Sequence, residues 1–157
     1  MKLNKRLVLL TIAFVGIPVL IFLNVVSATP DSQPFYNFKR LYEKTQLRFN
    51  NDPNTRLDYL LSLLDKRFNE LSYIANNQPK YLYSTSLRYT TTAGQATELV
   101  VNNRMENRKD EVKKKLESHL AAVNNLKNTY PRADEEIKFI VDAQNYLKTY
   151  LDQISAL

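Results

Sequence analysis

Residues 52–71 read DPNTRLDYLLSLLDKRFNEL, the clearest helical pattern in the chain. Asp52 has the short acceptor side chain of an N-cap, and Pro53 suits the first helical position because its fixed φ and missing N–H cost nothing there. Apolar residues then recur at three- and four-residue steps, as on one face of an α-helix. They are Leu57, Leu60, Leu61, Leu64, Phe68 and Leu71. We expect this helix to run to about Asn76, where Asn77-Gln78-Pro79 ends it.

Helical patterns continue on both sides of this stretch. Before it, we predict a helix over Phe35–Phe49 with Phe35, Phe38, Tyr42, Thr45 and Phe49 on one face. Between Lys80 and Lys127 there is no proline, so we predict one long helix or two joined near Thr90–Gly94, where helix propensity is low. The apolar stripe of its second half is Met105, Val112, Leu116, Leu120 and Val123.

The last helix is predicted to start near Pro131, with Asp134, Glu135 and Glu136 in its first turns, where the helix dipole favours acidic side chains. Its predicted buried stripe is Ile137, Ile140, Val141, Gln144, Leu147, Leu151 and Ile154. Short breaks between helices favour antiparallel neighbours. We therefore expect an all-α fold, with an N-terminal transmembrane helix followed by an antiparallel bundle of about four helices, one of them very long if Lys80–Lys127 is continuous.

The N-terminus carries a membrane-targeting pattern. Lys2, Lys5 and Arg6 precede an uncharged run, Leu7–Val26, whose 20 residues are enough to cross a bilayer. By the positive-inside rule, Met1 lies in the cytoplasm and the C-terminal domain outside the cell membrane. The alternative is a signal peptide cleaved after Ala28, which gives a secreted or periplasmic protein, although the run is longer than the usual signal-peptide core. The expected domains are 1–28 as anchor or signal, 29–34 as linker and 35–157 as the extracytoplasmic helical domain.

Composition narrows the classes of function. Three of the 22 basic residues precede the apolar run, and the part after it has 19 basic against 16 acidic residues, so we expect no nucleic-acid partner. No cysteine is present, which excludes disulfides, thiolate catalysis and cysteine metal sites. The Lys- and Asn-rich, cysteine-free, exported character suggests a bacterial protein.

One motif carries a family resemblance. Residues 34–43, PFYNFKRLYE, resemble exported bacterial domains of unknown function with a P-[LF]-Y-x-x-K-R-x-x-E motif followed by an R-[LF]-x-E helix. On this chain the matching residues are Phe35, Tyr36, Lys39, Arg40, Glu43, Arg56, Arg67 and Glu70. The resemblance covers roughly residues 34–145. It implies an exported or membrane-anchored all-helical protein of unknown function and brings no catalytic residues.

The charged motif residues allow two interpretations. Arg56 and Arg67 are three helical turns apart, so they would share a face with Glu70 and form an anion-binding row facing Lys39, Arg40 and Glu43 of the first helix. Alternatively they form ion pairs at the edge of a helix interface, with Arg67–Glu70 an i,i+3 pair. We favour the structural interpretation, because charged rows on amphipathic helices usually have that role.

No residue pattern indicates catalysis. His119 is the only histidine and lies at the margin of an apolar stripe, as a partly buried or solvated spectator with a conceivable pH-sensing role. Asp134, Glu135 and Glu136 are consecutive, so their carboxylates point apart rather than converge on a substrate. We expect no enzyme activity, no catalytic residue, no cofactor and no metal.

Tyrosines suggest where a partner binds. Tyr81, Tyr83 and Tyr89 form the densest tyrosine cluster and are a candidate interaction surface, although Tyr81 and Tyr89 equally suit the helical core. The expected protein is anchored in the cell membrane through Leu7–Val26 and binds a protein or envelope ligand, or a second copy, without catalysis. The alternative is a secreted or periplasmic soluble protein, chaperone-like or sensor-like.

Overall fold

The computed structural model describes Ala28 and residues 35–131 and 135–157, and this part of the chain is helical without strands. The elements are α1 (Phe35–Phe49), α2 (Pro53–Asn77), a 3₁₀ turn (Pro79–Tyr81), α3 (Leu82–Asn102), α4 (Glu106–Thr129) and α5 (Ile137–Ser155). The all-α prediction is confirmed for these residues. Among them, no helix combines the length and apolar character needed to cross a bilayer. The predicted run Leu7–Val26 and the linker 29–34 lie outside the described residues.

Two compact units divide the chain, Met1–Gln46 and Leu47–Leu157. The bounds of α1 are as predicted. Tyr36, Lys39 and Glu43 are buried, whereas Phe35, Phe38, Tyr42 and Phe49 of the predicted apolar face are exposed. The periodicity therefore predicted the helix, and the predicted apolar face is an exposed side of it.

The start of α2 follows the predicted cap. The Asp52 carboxylate accepts from the Thr55 backbone N–H at 2.8 Å and from the Thr55 hydroxyl at 2.7 Å. The backbone N–H bond, followed by the hydroxyl bond, lowers the pKa of Asp52, because both stabilise its charged form. The predicted stripe is confirmed, with five buried leucines and a half-buried Phe68. The buried leucines are Leu57, Leu60, Leu61, Leu64 and Leu71.

The segment between Lys80 and Lys127 forms two helices, but the predicted junction near Thr90–Gly94 is wrong. Helix α3 continues through that stretch and ends at Asn102. There, the Met105 N–H donates to the Val100 carbonyl at 3.0 Å and the Arg104 N–H to the Val101 carbonyl at 3.2 Å. Arg104 has φ +49°, so these bonds form a Schellman motif with arginine at the left-handed position.

Helix α3 tolerates the threonine-rich stretch because its hydroxyls bond to carbonyls one turn back. Thr91 and Thr92 donate to Leu87 and Arg88 at 2.7 and 2.9 Å. Gly94 has a packing role instead of breaking the helix. A Cβ there would lie 2.8 Å from the Tyr150 hydroxyl oxygen, so the missing side chain makes room for the α5 ring.

Helices α2 to α5 form a bundle in which α2 packs on α3, α3 on α5, and α5 on α4, with smaller α4–α2 and α3–α4 contacts. Helix α4 lies antiparallel to α5, since Lys109 bonds to Ser155 and Lys127 to Gln144. Helices α2 and α4 are parallel, since Arg108 pairs with Asp58 and Lys115 with Asp65. The predicted antiparallel arrangement therefore holds for α4 and α5 and not for α2 and α4.

Helix α5 begins later than predicted, at Ile137 rather than near Pro131. Glu136 occupies the N-cap position and Glu135 precedes it, so these acidic residues lie before the first turn. Asp134 lies outside the described residues. The apolar pattern of the helix itself is confirmed, because Ile140, Gln144, Leu147 and Ile154 are buried.

Candidate functional site

The α1 motif residues divide between two environments. Tyr36, Lys39 and Glu43 are buried, and the Lys39 ammonium donates to the Ala28 carbonyl at 2.9 Å. The same ammonium lies 5.9 Å from the centre of the Tyr36 ring, within the range of a cation–π contact. Phe35 and Arg40 are exposed. The motif residues of α1 are thus partly buried and partly exposed.

The α2 motif residues also separate. The Arg67 Nη1 donates to the Glu70 Oε2 at 2.6 Å, and both side chains are buried, so the predicted i,i+3 pair is present. Arg56 is exposed and lines an open pocket of about 220 Å³ with Gln95, Glu98, Leu99, Asn102 and Asn103. Because Arg67 is buried and already bound to a carboxylate, the two guanidinium groups do not form one anion-binding row. The prediction that Arg67 faces Lys39, Arg40 and Glu43 stays a prediction.

A polar network connects α2, α3 and α4 around His119. The Tyr89 hydroxyl lies 3.1 Å from His119 Nδ1, and Asp65 Oδ1 lies 3.0 Å from His119 Nε2. An ionised carboxylate only accepts hydrogen bonds, so Nε2 carries the proton and Nδ1 accepts from the Tyr89 hydroxyl. Lys115 donates to Asp65 at 2.8 Å. Both ring nitrogens of neutral His119 are therefore hydrogen-bonded.

Aromatic contacts hold this network in place. The Phe68 ring packs edge-on to His119 with centroids 5.7 Å apart and lies 6.0 Å from Tyr89. Such pairs add stability beyond the area they bury. His119 is 5% exposed and Tyr89 has no exposed surface. The predicted description of His119 as a partly buried or solvated spectator is therefore replaced by a buried residue bonded on both sides.

The protonation states follow from burial and charge. Burial lowers the pKa of His119, and the Asp65 hydrogen bond offsets only part of that shift. Burial, with the nearby Asp65 charge, raises the pKa of Tyr89 far above its usual range. Burial also acts to raise the pKa of Asp65, but the bonds from Lys115 and His119 outweigh it and lower that pKa. At neutral pH the network is carboxylate, neutral imidazole and neutral phenol.

Asp65, His119 and Tyr89 follow one another as the groups of a proton relay do, but Tyr89, at the end of the series, is not accessible to a substrate. A nucleophilic tyrosine must be deprotonated and reach a substrate. Tyr89 is fully buried and its raised pKa keeps it protonated. A shallow pocket of about 150 Å³ touches only the outer side, at Asp65, Phe68, Asn69, Ser118, His119 and Ala122. What the structure shows is that these bonds join α2, α3 and α4.

Sequence reasoning missed this network because its members come from three helices. Asp65 and His119 are 54 residues apart, and no local spacing connects them. The one available signal was a polar histidine beside the apolar α4 stripe. Among the described residues, no group of three or more His, Cys, Asp or Glu is arranged to hold a metal ion.

The predicted tyrosine surface is reduced by the burial of Tyr89, which belongs to the core. Tyr81 is half-buried, and Tyr83 is 58% exposed. The Tyr83 ring contacts Phe139 of α5 with centroids 5.1 Å apart. Farther along α5, the Tyr146 and Tyr150 rings stack at 6.2 Å. We call Tyr83, Leu87, Phe139, Tyr146 and Tyr150 the aromatic face of α3 and α5.

Residues 27–133 match the family described as a domain of unknown function, DUF5667. The chain belongs to the DUF5667 family. No curated protein and no solved structure matches it significantly.

The DUF5667 match includes the α1 and α2 motif residues and the His119 network, and the family is of unknown function, as the resemblance implied. Helix α5 lies beyond the matched residues. The α5 half of the aromatic face therefore belongs to this chain outside its DUF5667 region. The motif as a family signature, and the export of DUF5667 proteins, stay predictions.

Proposed function

We propose that this chain is a membrane-anchored, extracytoplasmic helical protein that binds another protein of the cell envelope and performs no catalysis. The observation that carries the proposal is the aromatic face of α3 and α5. Tyr83, Leu87 and Tyr146 are each about half exposed or more, at 58%, 51% and 50%. Soluble proteins rarely leave grouped apolar side chains exposed without an interaction that uses them.

The composition of this face suits a protein partner. Tyrosine offers a rigid apolar ring and a hydrogen-bonding hydroxyl, and it is enriched at protein interfaces. The backbone beneath the face is fixed, because Ser86 donates to the Phe139 carbonyl at 2.7 Å and Gly94 admits the Tyr150 ring. A partner that binds here would therefore contact a preformed surface, and little free energy would be lost in ordering that surface.

Anchoring is supported by Lys2, Lys5 and Arg6 before the apolar run Leu7–Val26. The alternative is a secreted or periplasmic protein released by cleavage after Ala28. The Lys39–Ala28 hydrogen bond favours retention, because cleavage would convert that carbonyl into a new chain end. Mass spectrometry of the mature N-terminus distinguishes the two: an intact Met1–Ala28 segment supports anchoring, and a start at Thr29 supports release.

The proposed absence of catalysis is supported by the burial of Tyr89 within the His119 network. Both His119 ring nitrogens are hydrogen-bonded, to Tyr89 and Asp65, and the potential nucleophile, Tyr89, has no exposed surface. A catalytic relay needs an open end at the substrate. Structural stabilisation accounts for this cluster without a substrate.

Photo-cross-linking in cells tests the partner. A photoreactive phenylalanine analogue is placed at Tyr83, at Tyr146, or at the control position Glu117, an exposed residue of α4. We expect one adduct shared by Tyr83 and Tyr146, absent at Glu117, and lost on Leu87→Glu. An adduct of twice the chain mass would identify the partner as a second copy. Equal labelling at all three positions, or labelling insensitive to Leu87→Glu, would contradict the proposal.

A further inference from the structure

Helix α1 exposes apolar side chains on one side. Phe38 is 60% exposed, Leu41 63% and Tyr42 46%, and Phe35 lies one turn before Phe38. On a water-soluble helix, this row would normally pack against a core. Instead the helix buries Tyr36, Lys39 and Glu43 on another side. The apolar row of α1 therefore presents an exposed surface, with Phe38 and Leu41 more than half exposed.

Positive charge accompanies this row. Arg40, Lys44 and Arg48 recur at four-residue steps, share one side of α1, and are exposed. The acidic residue of α1, Glu43, is buried, so every exposed charged side chain of this helix is basic. A surface helix with an aromatic row beside a basic row is the pattern of a helix that lies in the headgroup region of an anionic bilayer.

The position of α1 in the chain selects the lipid surface over other occupants. The predicted membrane run ends at Val26, nine residues before Phe35. A chain covers at most about 3.3–3.6 Å per residue, so Phe35 lies within about 30 Å of the end of that run. Anchoring of the chain would thus confine α1 to the neighbourhood of the headgroups. A helix that is held near the headgroups, with an apolar row and only basic exposed charges, complements an anionic membrane.

We infer that α1 lies along the membrane surface, with Phe35, Phe38 and Tyr42 among the upper acyl chains and Arg40, Lys44 and Arg48 on anionic lipid headgroups. The inference rests on the anchoring proposed above. Helix α1 then acts as a second membrane contact beside the apolar run, and it limits how the anchored chain turns on its tether.

The chain has no tryptophan, so a single introduced tryptophan reports on one position. The full chain carrying Phe38→Trp is reconstituted in vesicles of phosphatidylcholine and phosphatidylglycerol, some with bromine on the upper acyl chains. The control is Tyr73→Trp, at a position of α2 that is 43% exposed. We expect the brominated lipid to quench Phe38→Trp several-fold more than Tyr73→Trp. Adding Arg40→Gln, Lys44→Gln and Arg48→Gln should reduce that quenching.

Quenching of Phe38→Trp no greater than that of Tyr73→Trp would overturn the inference. If brominated vesicles of phosphatidylcholine alone quench Phe38→Trp as strongly as the mixed vesicles do, anionic lipid has no role in the binding of α1. Alkaline carbonate extraction of the same vesicles tests anchoring separately: release of the chain would contradict the proposed function, while the quenching ratio alone decides the position of α1. Circular dichroism of each variant verifies that the helices remain formed.

Discussion

Arg104 illustrates how a single residue sets a helix junction. It adopts φ +49° at the position of a Schellman motif that glycine usually fills. The left-handed conformation costs a non-glycine residue about 1–2 kcal/mol, because Cβ approaches the following carbonyl oxygen. The junction persists because Met105, three residues past the end of α3, is buried in the core.

We predict that Arg104→Gly stabilises the fold by about 0.5–1 kcal/mol, since glycine avoids the left-handed penalty but gains freedom in the unfolded chain. Chemical denaturation followed by circular dichroism measures the change. The control is Asn103→Gly, at a neighbouring residue with φ −94°, which gains no such relief. A loss of stability on Arg104→Gly would contradict this account of the junction.

We also predict coupling between Gly94 and Tyr150. Alanine in a helix interior is about 1 kcal/mol better than glycine, but a Cβ at position 94 would meet the Tyr150 hydroxyl oxygen at 2.8 Å. Gly94→Ala should therefore stabilise the native chain by less than this amount. In the Tyr150→Ala variant, the same substitution should give its full gain in stability. A double-mutant cycle in chemical denaturation measures the coupling, expected at about 1 kcal/mol. Strictly additive effects would show that the Tyr150 ring moves aside freely.

At this scale, residues whose partners are close in sequence could be predicted. Asp52 caps α2 through Thr55, only three residues away, and the pattern indicated it. The left-handed conformation of Arg104 could not be predicted, because glycine is the usual residue at that position. The compensating burial of Met105 is a property of the folded core. Gly94 was interpreted as a helix break for the same reason: its partner, Tyr150, is on α5.

At the scale of elements, the His119 network joins three helices through two hydrogen bonds to one ring. Tyr89→Phe removes the donor to His119 Nδ1 and leaves a buried acceptor unsatisfied, which costs about 1–3 kcal/mol. We expect that loss in chemical denaturation. Tyr83→Phe, at an exposed tyrosine of the same helix, should change stability by less than about 0.5 kcal/mol. Equal effects of the two variants would show that the Tyr89–His119 bond contributes nothing.

Stability should depend on pH through the same histidine. The folded chain lowers the pKa of His119, so the unfolded chain binds a proton more readily once the pH falls below about 6.5. Stability is therefore full above that pH and falls as the pH drops towards the folded-state pKa. The groups facing the ring are Asp65 of α2, Tyr89 of α3 and Lys115 of its own helix.

Thermal melts at pH 7.5 and pH 5 test this dependence, with a larger drop in Tm expected for the native chain than for His119→Gln. Asp65 also has a lowered pKa, but its contribution is lost only at more acidic pH, below about 3.8. The two groups therefore act in separate pH windows. An identical drop for the native chain and His119→Gln would assign the acid sensitivity to other residues.

The bounds of the early helices could be predicted from periodicity and caps, but the pairing of helices could not. The contacts of α2 with α4 join residues about 50 apart, such as Asp58 with Arg108. Nothing in the local pattern states that these helices run parallel. The orientation of α1 was also beyond the sequence pattern, because it buries Lys39 and Glu43, whereas burial of charge is normally unfavourable.

For the whole molecule, we predict that the C-terminus lies outside the cytoplasm. Alkaline phosphatase fused after Leu157 should be active in bacterial cells, and a fluorescent protein that folds only in the cytoplasm should stay dark there. This prediction rests on the positive-inside rule, applied to the three cations before the apolar run. Replacing Lys2, Lys5 and Arg6 with glutamine should weaken it. An inactive phosphatase fusion would contradict the predicted topology.

Helix α5 has a consequence for the order in which the bundle is completed. Both α3 and α4 pack extensively on it, yet it is synthesised after both of them. Until residues 137–155 emerge, α3 and α4 each lack a main neighbour, and the contacts still to form join distant parts of the chain, which slows folding. Vectorial delivery across a membrane would therefore hold α3 and α4 incomplete until α5 has passed. During that interval its apolar helix faces would be open to aggregation or to capture by a chaperone.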